Sequence, residues 1–155
     1  MKKFGLISSD DEDAFSALAG RGGVFYAAMM DNNAMWDPVT IEKILHDFPE
    51  GYVEEADLFL VLTECIANAA LHGQAKTLGL AVRERAGIVL FSFVQFPPMH
   101  SRITVVLHMA RKGQLRQTAE DLPGGLGFPI LINLARNITV SGDLSSLRLW
   151  FKRMK

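Results

Sequence analysis

The run from Glu54 to Leu71 contains neither proline nor glycine and is apolar along most of its length. It reads as one long helix, largely buried. Glu64, Asn68 and His72 recur at every fourth position here, so on a helix they form one polar line. Phe59, Leu62, Cys65, Ile66, Ala69 and Ala70 surround that line and read as core. A polar group left unpaired in a dry interior costs about 1–3 kcal/mol. The line must therefore be matched by the protein's own interior or face a cavity where a ligand matches it.

The rest of the chain is consistent with a single domain built around this helix. Its 155 residues are 49% hydrophobic and 21% charged, enough for a core and too apolar for disorder. The net charge of −1 suggests neither a general nucleic-acid surface nor a membrane surface. The single cysteine, Cys65, lies within the helix, excludes an internal disulfide and reads as a small hydrophobe. The N-terminal apolar run is too short for a signal peptide, and no window approaches the roughly 18 apolar residues of a membrane span. A soluble, cytoplasmic protein is expected.

In chain order, Lys3 to Ser8 suits a short strand, and Asp10-Asp11-Glu12-Asp13 suits the solvated head of a helix, where carboxylates complement the dipole. Gly20-Arg21-Gly22-Gly23 is a joint, and Val24 to Met30 reads as either strand or helix. Asp37-Pro38 starts a helix that Pro49 and Gly51 end, with Ile41, Ile44, Leu45 and Phe48 on one face. The long helix then begins near Val53, runs to His72 and is capped by Gly73. Thr77 to Arg83 and Ile88 to Val94 form a hairpin across a turn at Glu84 to Gly87. Ile103 to Leu107 reads as an extra strand, with a helix through Met109 as the alternative. Pro123 to Leu134 is a glycine-rich turn entering an apolar helix, a place where free backbone amides attract phosphate. Asn137 to Ser141 and Leu147 to Lys152 close the chain as a hairpin whose second strand buries Leu147, Leu149 and Phe151.

Thr63-Glu64-Cys65-Ile66-Ala67-Asn68-Ala69-Ala70-Leu71-His72-Gly73 resembles the N-box of the GHKL ATPases, nearest the bacterial anti-sigma factors that are serine-protein kinases. Gly124-Gly125-Leu126-Gly127 resembles the second glycine box of those kinases, and the similarity extends from about Asp37 to Phe151. The resemblance implies a two-layer α/β sandwich of the Bergerat type, with a mixed, mostly antiparallel sheet and helices on one face. It implies ATP and Mg²⁺ as cofactors, with Glu64 as general base and Asn68 as the magnesium ligand. His72, Gln95, Arg116, Gly125, Leu126 and Gly127 would contact the nucleotide. The basic segment from Ser101 to Asp121, with Arg102, Arg111, Lys112 and Arg116, would cover it. The implied partner is a sigma factor or its antagonist protein, with a homodimer left open and no direct nucleic-acid binding.

One landmark departs from the family. Where it carries Asp-x-Gly-x-Gly to hold adenine, this chain reads Gln95-Phe96-Pro97-Pro98-Met99. Glutamine is uncharged and one methylene longer, and proline has no N–H. Two functions follow: an ATP-binding anti-sigma-like regulator acting as a serine-protein kinase, or a nucleotide-free module of the same fold that only binds protein. A histidine-kinase catalytic fragment is weaker, since no phospho-accepting helix or dimerisation segment is visible.

Overall fold

The computed structural model describes residues 1–113 and 127–154. Six strands form one open sheet in the order β1-β2-β3-β4-β6-β5. They are β1 (Lys2–Phe4), β2 (Val24–Asp31), β3 (Thr77–Arg85), β4 (Ile88–Phe96), β5 (Asn137–Val140) and β6 (Ser146–Lys152). Only the β1–β2 pair is parallel; the other four pairs are antiparallel. Among the described residues six helices accompany the sheet: α1 (Ser9–Ala19), α2 (Asn32–Trp36), α3 (Pro38–Asp47), α4 (Glu55–Ala67), α5 (Arg102–Arg111) and α6 (Gly127–Leu134).

The strand registers sort the side chains onto two faces. Ala28, Leu80, Phe93 and Leu147 lie opposite one another across four strands, as do Tyr26, Val82, Phe91, Leu149 and Ile138 across five. These rows belong to the main core with Ile44 of α3, Leu58, Val61, Leu62, Cys65 and Ile66 of α4, Val106 and Leu107 of α5, and Phe128 and Leu131 of α6. The alternate rows face the other way. There Phe15 of α1 packs with Met29, Ala81 and Val94 in a separate cluster. The expectation that the helices share one face therefore holds for α2 to α6 and fails for α1. A helix linking two parallel neighbouring strands must cross over the sheet, and here it crosses on the back.

Local signals explain most of the elements. Ser8 caps α1 by accepting from the Asp11 amide, and Asp37 caps α3 by accepting from the Val39 amide ahead of Pro38. The β3–β4 turn is tighter than Glu84 to Gly87: both strands run on to Ala86-Gly87, each at positive φ (53° and 80°), a two-residue turn matched to strand twist. Ile103 to Leu107 is helical. Val106, Leu107 and Ala110 make the buried stripe of α5, so packing on the main core overrides the β preference of Ile103, Thr104, Val105 and Val106.

Candidate ligand cavity

The long helix does not remain α-helical to His72. From Asn68 to His72 it widens into one π turn, with the Gly73 amide bonded to the Asn68 carbonyl five residues back at 2.8 Å. Single π turns recur at functional sites because the extra residue re-aims the side chains around it. The contact that accompanies the widening comes from β4. Gln95, only 4% exposed, donates from Nε2 to the Gly73 carbonyl at 3.1 Å and to the Pro97 carbonyl at 2.9 Å. A Cβ on Gly73 would sit 2.7 Å from Gln95 Oε1 and 3.0 Å from the Ala69 carbonyl, so a larger residue here would have to displace the Gln95 amide. The end of β4 is fixed in turn by the β5–β6 turn, where Ser145 accepts from the Gln95 amide and Leu144 from the Met99 amide, both at 2.8 Å.

A cavity of about 630 Å³ opens beside this junction, within the size range of small-molecule sites. Asn68, His72 and Gly73 border it from the π turn, and Gln95 to His100 from β4 and the segment after it, Phe96 excepted. Arg102, Ile103 and Val106 of α5 and Phe128 in the first turn of α6 complete much of its wall. Its deeper surface is apolar, with Cys65, Leu78, Phe93 and Leu147. Its polar side chains are amides, imidazoles, one guanidinium and the Ser101 hydroxyl, and among the described residues no carboxylate lines it.

Three of the residues singled out from the sequence therefore meet in one place: Asn68, His72 and Gln95. Asn68 carries a buried Nδ2 with no hydrogen-bond partner among the described residues. His72 is exposed at the rim. Gln95 has its amide nitrogen committed to two backbone carbonyls, so Oε1 is the end it has left to offer a ligand. Gly127 opens α6 one residue before Phe128, which places the start of that helix at the cavity wall. Arg116, Gly125 and Leu126 lie outside the described residues.

Glu64 is placed differently. It is half-buried on α4, one turn before Asn68, and is not among the residues lining the cavity. Its charge acts on its neighbour: burial, and then Glu64, push the Cys65 thiol far above its usual range. Cys65 is thus an inert thiol, as its sequence context suggests.

His100, Ser101 and Phe128 also line the cavity, although the sequence did not mark them as site residues. The available signal was positional: Phe128 directly follows the glycine-rich turn, and His100 directly follows the Pro97-Pro98 corner. Among the described residues no three histidines, cysteines or carboxylates gather to hold a metal, and no helix is long and apolar enough to cross a membrane. No protein-family model matches the chain, and no curated protein shows significant similarity to it.

Proposed function

We propose that the protein is an ATP-binding regulator of the anti-sigma type, with a Bergerat-type fold that holds an adenine nucleotide in the cavity between the π turn and α5. The observation that carries this reading is the convergence of Asn68 and His72 of the π turn with Gln95 of β4 on one cavity, where the buried Asn68 amide nitrogen has no partner among the described residues. A ligand oxygen at Asn68 Nδ2 would satisfy a donor that otherwise costs about 1–3 kcal/mol. Gln95 Oε1 offers an acceptor to an exocyclic amino group, and Phe93 and Leu147 offer apolar wall to a flat base. His72, His100 and Arg102 at the rim suit a polyphosphate.

Magnesium fits with one protein ligand. Asn68 Oδ1 is a suitable oxygen, and magnesium commonly keeps several waters and takes the rest of its shell from phosphates. Bound there, the ion would offset phosphate charge. Transfer of the γ-phosphoryl group of ATP to a serine hydroxyl of an antagonist protein would release ADP, and Glu64, one helical turn from Asn68 though outside the cavity lining, would take the hydroxyl proton.

A second reading has its own support. The double tie of the Gln95 amide to backbone, with Glu64 outside the lining, suits a nucleotide-free module that binds protein only. Thermal unfolding with ADP or ATP, with and without Mg²⁺, separates the two. Ligand at about 100 times its dissociation constant adds about 2.7 kcal/mol to the parent protein. The nucleotide reading expects a magnesium-dependent shift that Asn68→Ala abolishes. Absence of any shift at millimolar ATP leaves the protein-binding module.

A further inference from the structure

The back of the sheet is only partly covered. Phe15 seats α1 over β2 and β3, and beyond it the registers gather a second set of side chains on β3, β4 and β6, in which Arg83, Arg148 and Trp150 are partly exposed and Ala81, Leu90 and Ser92 are buried beneath them. Arg83, Leu90 and Trp150 form one row of it, with Ala81, Ser92 and Arg148 in the next. Arg85 and Lys152 flank Ile88 at its edge. A small recess of about 120 Å³ is sunk into this surface, and Arg21 at the end of α1 leans in with Arg83 and Arg148. Its floor is partly apolar, from Leu18, Val24 and Leu90, and the Ser92 and Ser146 hydroxyls also line it.

No strand position on this face of β3, β4, β5 or β6 carries a carboxylate. None of the three arginines is ion-paired among the described residues, where the only pairs are Lys2–Asp47, Lys3–Glu12 and Arg153–Glu84. Five cations thus share one face of a chain whose net charge is −1. We propose that this face is a docking surface for an acidic, partly apolar segment of a partner protein, one of whose carboxylates enters the arginine recess. Guanidinium forks match carboxylates in two-point geometry, and the apolar floor with Trp150 accepts the aliphatic or aromatic side chains between acids.

A nucleic acid fits less well. Single strands are held on several stacking platforms, and this face offers one, Trp150. The surface lies across the sheet from the cavity and is independent of nucleotide binding.

The test reads Trp150 fluorescence in a Trp36→Phe background. The probes are a short Glu-rich peptide with interspersed Leu, its Gln counterpart, and an oligothymidylate of equal charge. Binding of the acidic peptide is expected at low salt and should weaken as salt rises. The double variant Arg83→Gln/Arg148→Gln should raise its dissociation constant about tenfold or more at an unchanged melting temperature. Asn68→Ala should leave it unchanged. Failure of the acidic peptide to bind, equal binding of the Gln peptide, tighter binding of the oligothymidylate, or indifference to the arginine changes would each overturn the proposal.

Discussion

The two faces of the sheet solve different problems with the same strands. On the front, the five helices described bury aliphatic and aromatic rows and leave a large opening where β4 meets the π turn. On the back, one helix is seated mainly by one ring, with Leu18 and Ala19 beside it, and the remaining strands present arginines over buried serines. Alternation along β3 and β4 assigns each residue to a face, so a single hairpin carries both surfaces. The front is where stability is concentrated, and the back is where the chain can change with less cost to its fold.

Truncating one ring on each face tests that claim most directly. Phe91 is fully buried, 5.9 Å from Phe48 and edge-on to Phe151 at 5.3 Å. Phe91→Ala should cost about 3–5 kcal/mol in denaturant unfolding. Phe15 is equally buried, but only one small helix must settle to close the gap. Phe15→Ala should therefore fall at or below the lower end of that range. Equal losses would show that the back-face cluster is as well braced as the core.

Gly79 sharpens the comparison from the sheet side. A Cβ there would lie 2.6 Å from the Phe15 ring, so the ring reaches the back face only because β3 has no side chain at that point. Gly79→Ala should cost about 1–3 kcal/mol by overpacking. Much of that should return in a Phe15→Leu background, as a double-mutant cycle would show. An additive pair would mean that the ring is not what Gly79 accommodates.

Gly73→Ala probes the same device on the front. Its Cβ would meet both Gln95 amide atoms, at 2.7 and 2.9 Å, and the Ala69 carbonyl at 3.0 Å. The expected loss is about 1–2 kcal/mol, as one buried amide gives up its two carbonyls. Under the nucleotide reading, ADP affinity should fall with it. Calorimetry that finds affinity intact would remove Gln95 from the binding site.

What the sequence made legible divides along the same line. Local chemistry announced α3 through Asp37-Pro38, the strand β6 through Leu147, Leu149 and Phe151, and the polar residues Asn68 and His72 through their spacing. Long-range choices were not announced. Nothing near Phe15 says which face of the sheet α1 will cover, because that depends on the crossover from β1 to β2. The π turn is equally silent, since the contact at Gly73 comes from Gln95, a partner on another element. The β-branched run of α5 misleads for the same reason: the core it packs on lies elsewhere in the chain. The arginines of the back face stood alone in sequence, and only the strand registers gather them.

The smallest expected effect concerns the turn that holds the cavity's edge. Asp143 accepts from the Ser141 hydroxyl at 2.7 Å, and from the Ser145 amide and hydroxyl at 3.0 and 2.7 Å. These bonds, the Ser141 hydroxyl foremost, lower its carboxyl pKa to about 2. A carboxyl whose pKa is lower folded than unfolded binds protons more readily when the chain unfolds. Its contribution to stability is therefore complete above the unfolded value near pH 4 and fades as pH falls towards 2. The group is exposed, so the effect is small, but its sign is fixed. Urea midpoints of the parent and of Asp143→Asn should differ most at neutral pH and converge between about pH 4 and 2. A difference that persists or widens at low pH would show that the turn does not depend on the ionised carboxylate. The Gln95 and Met99 amides would then be held by backbone geometry alone, with Leu144 already in the left-handed region at φ 64°.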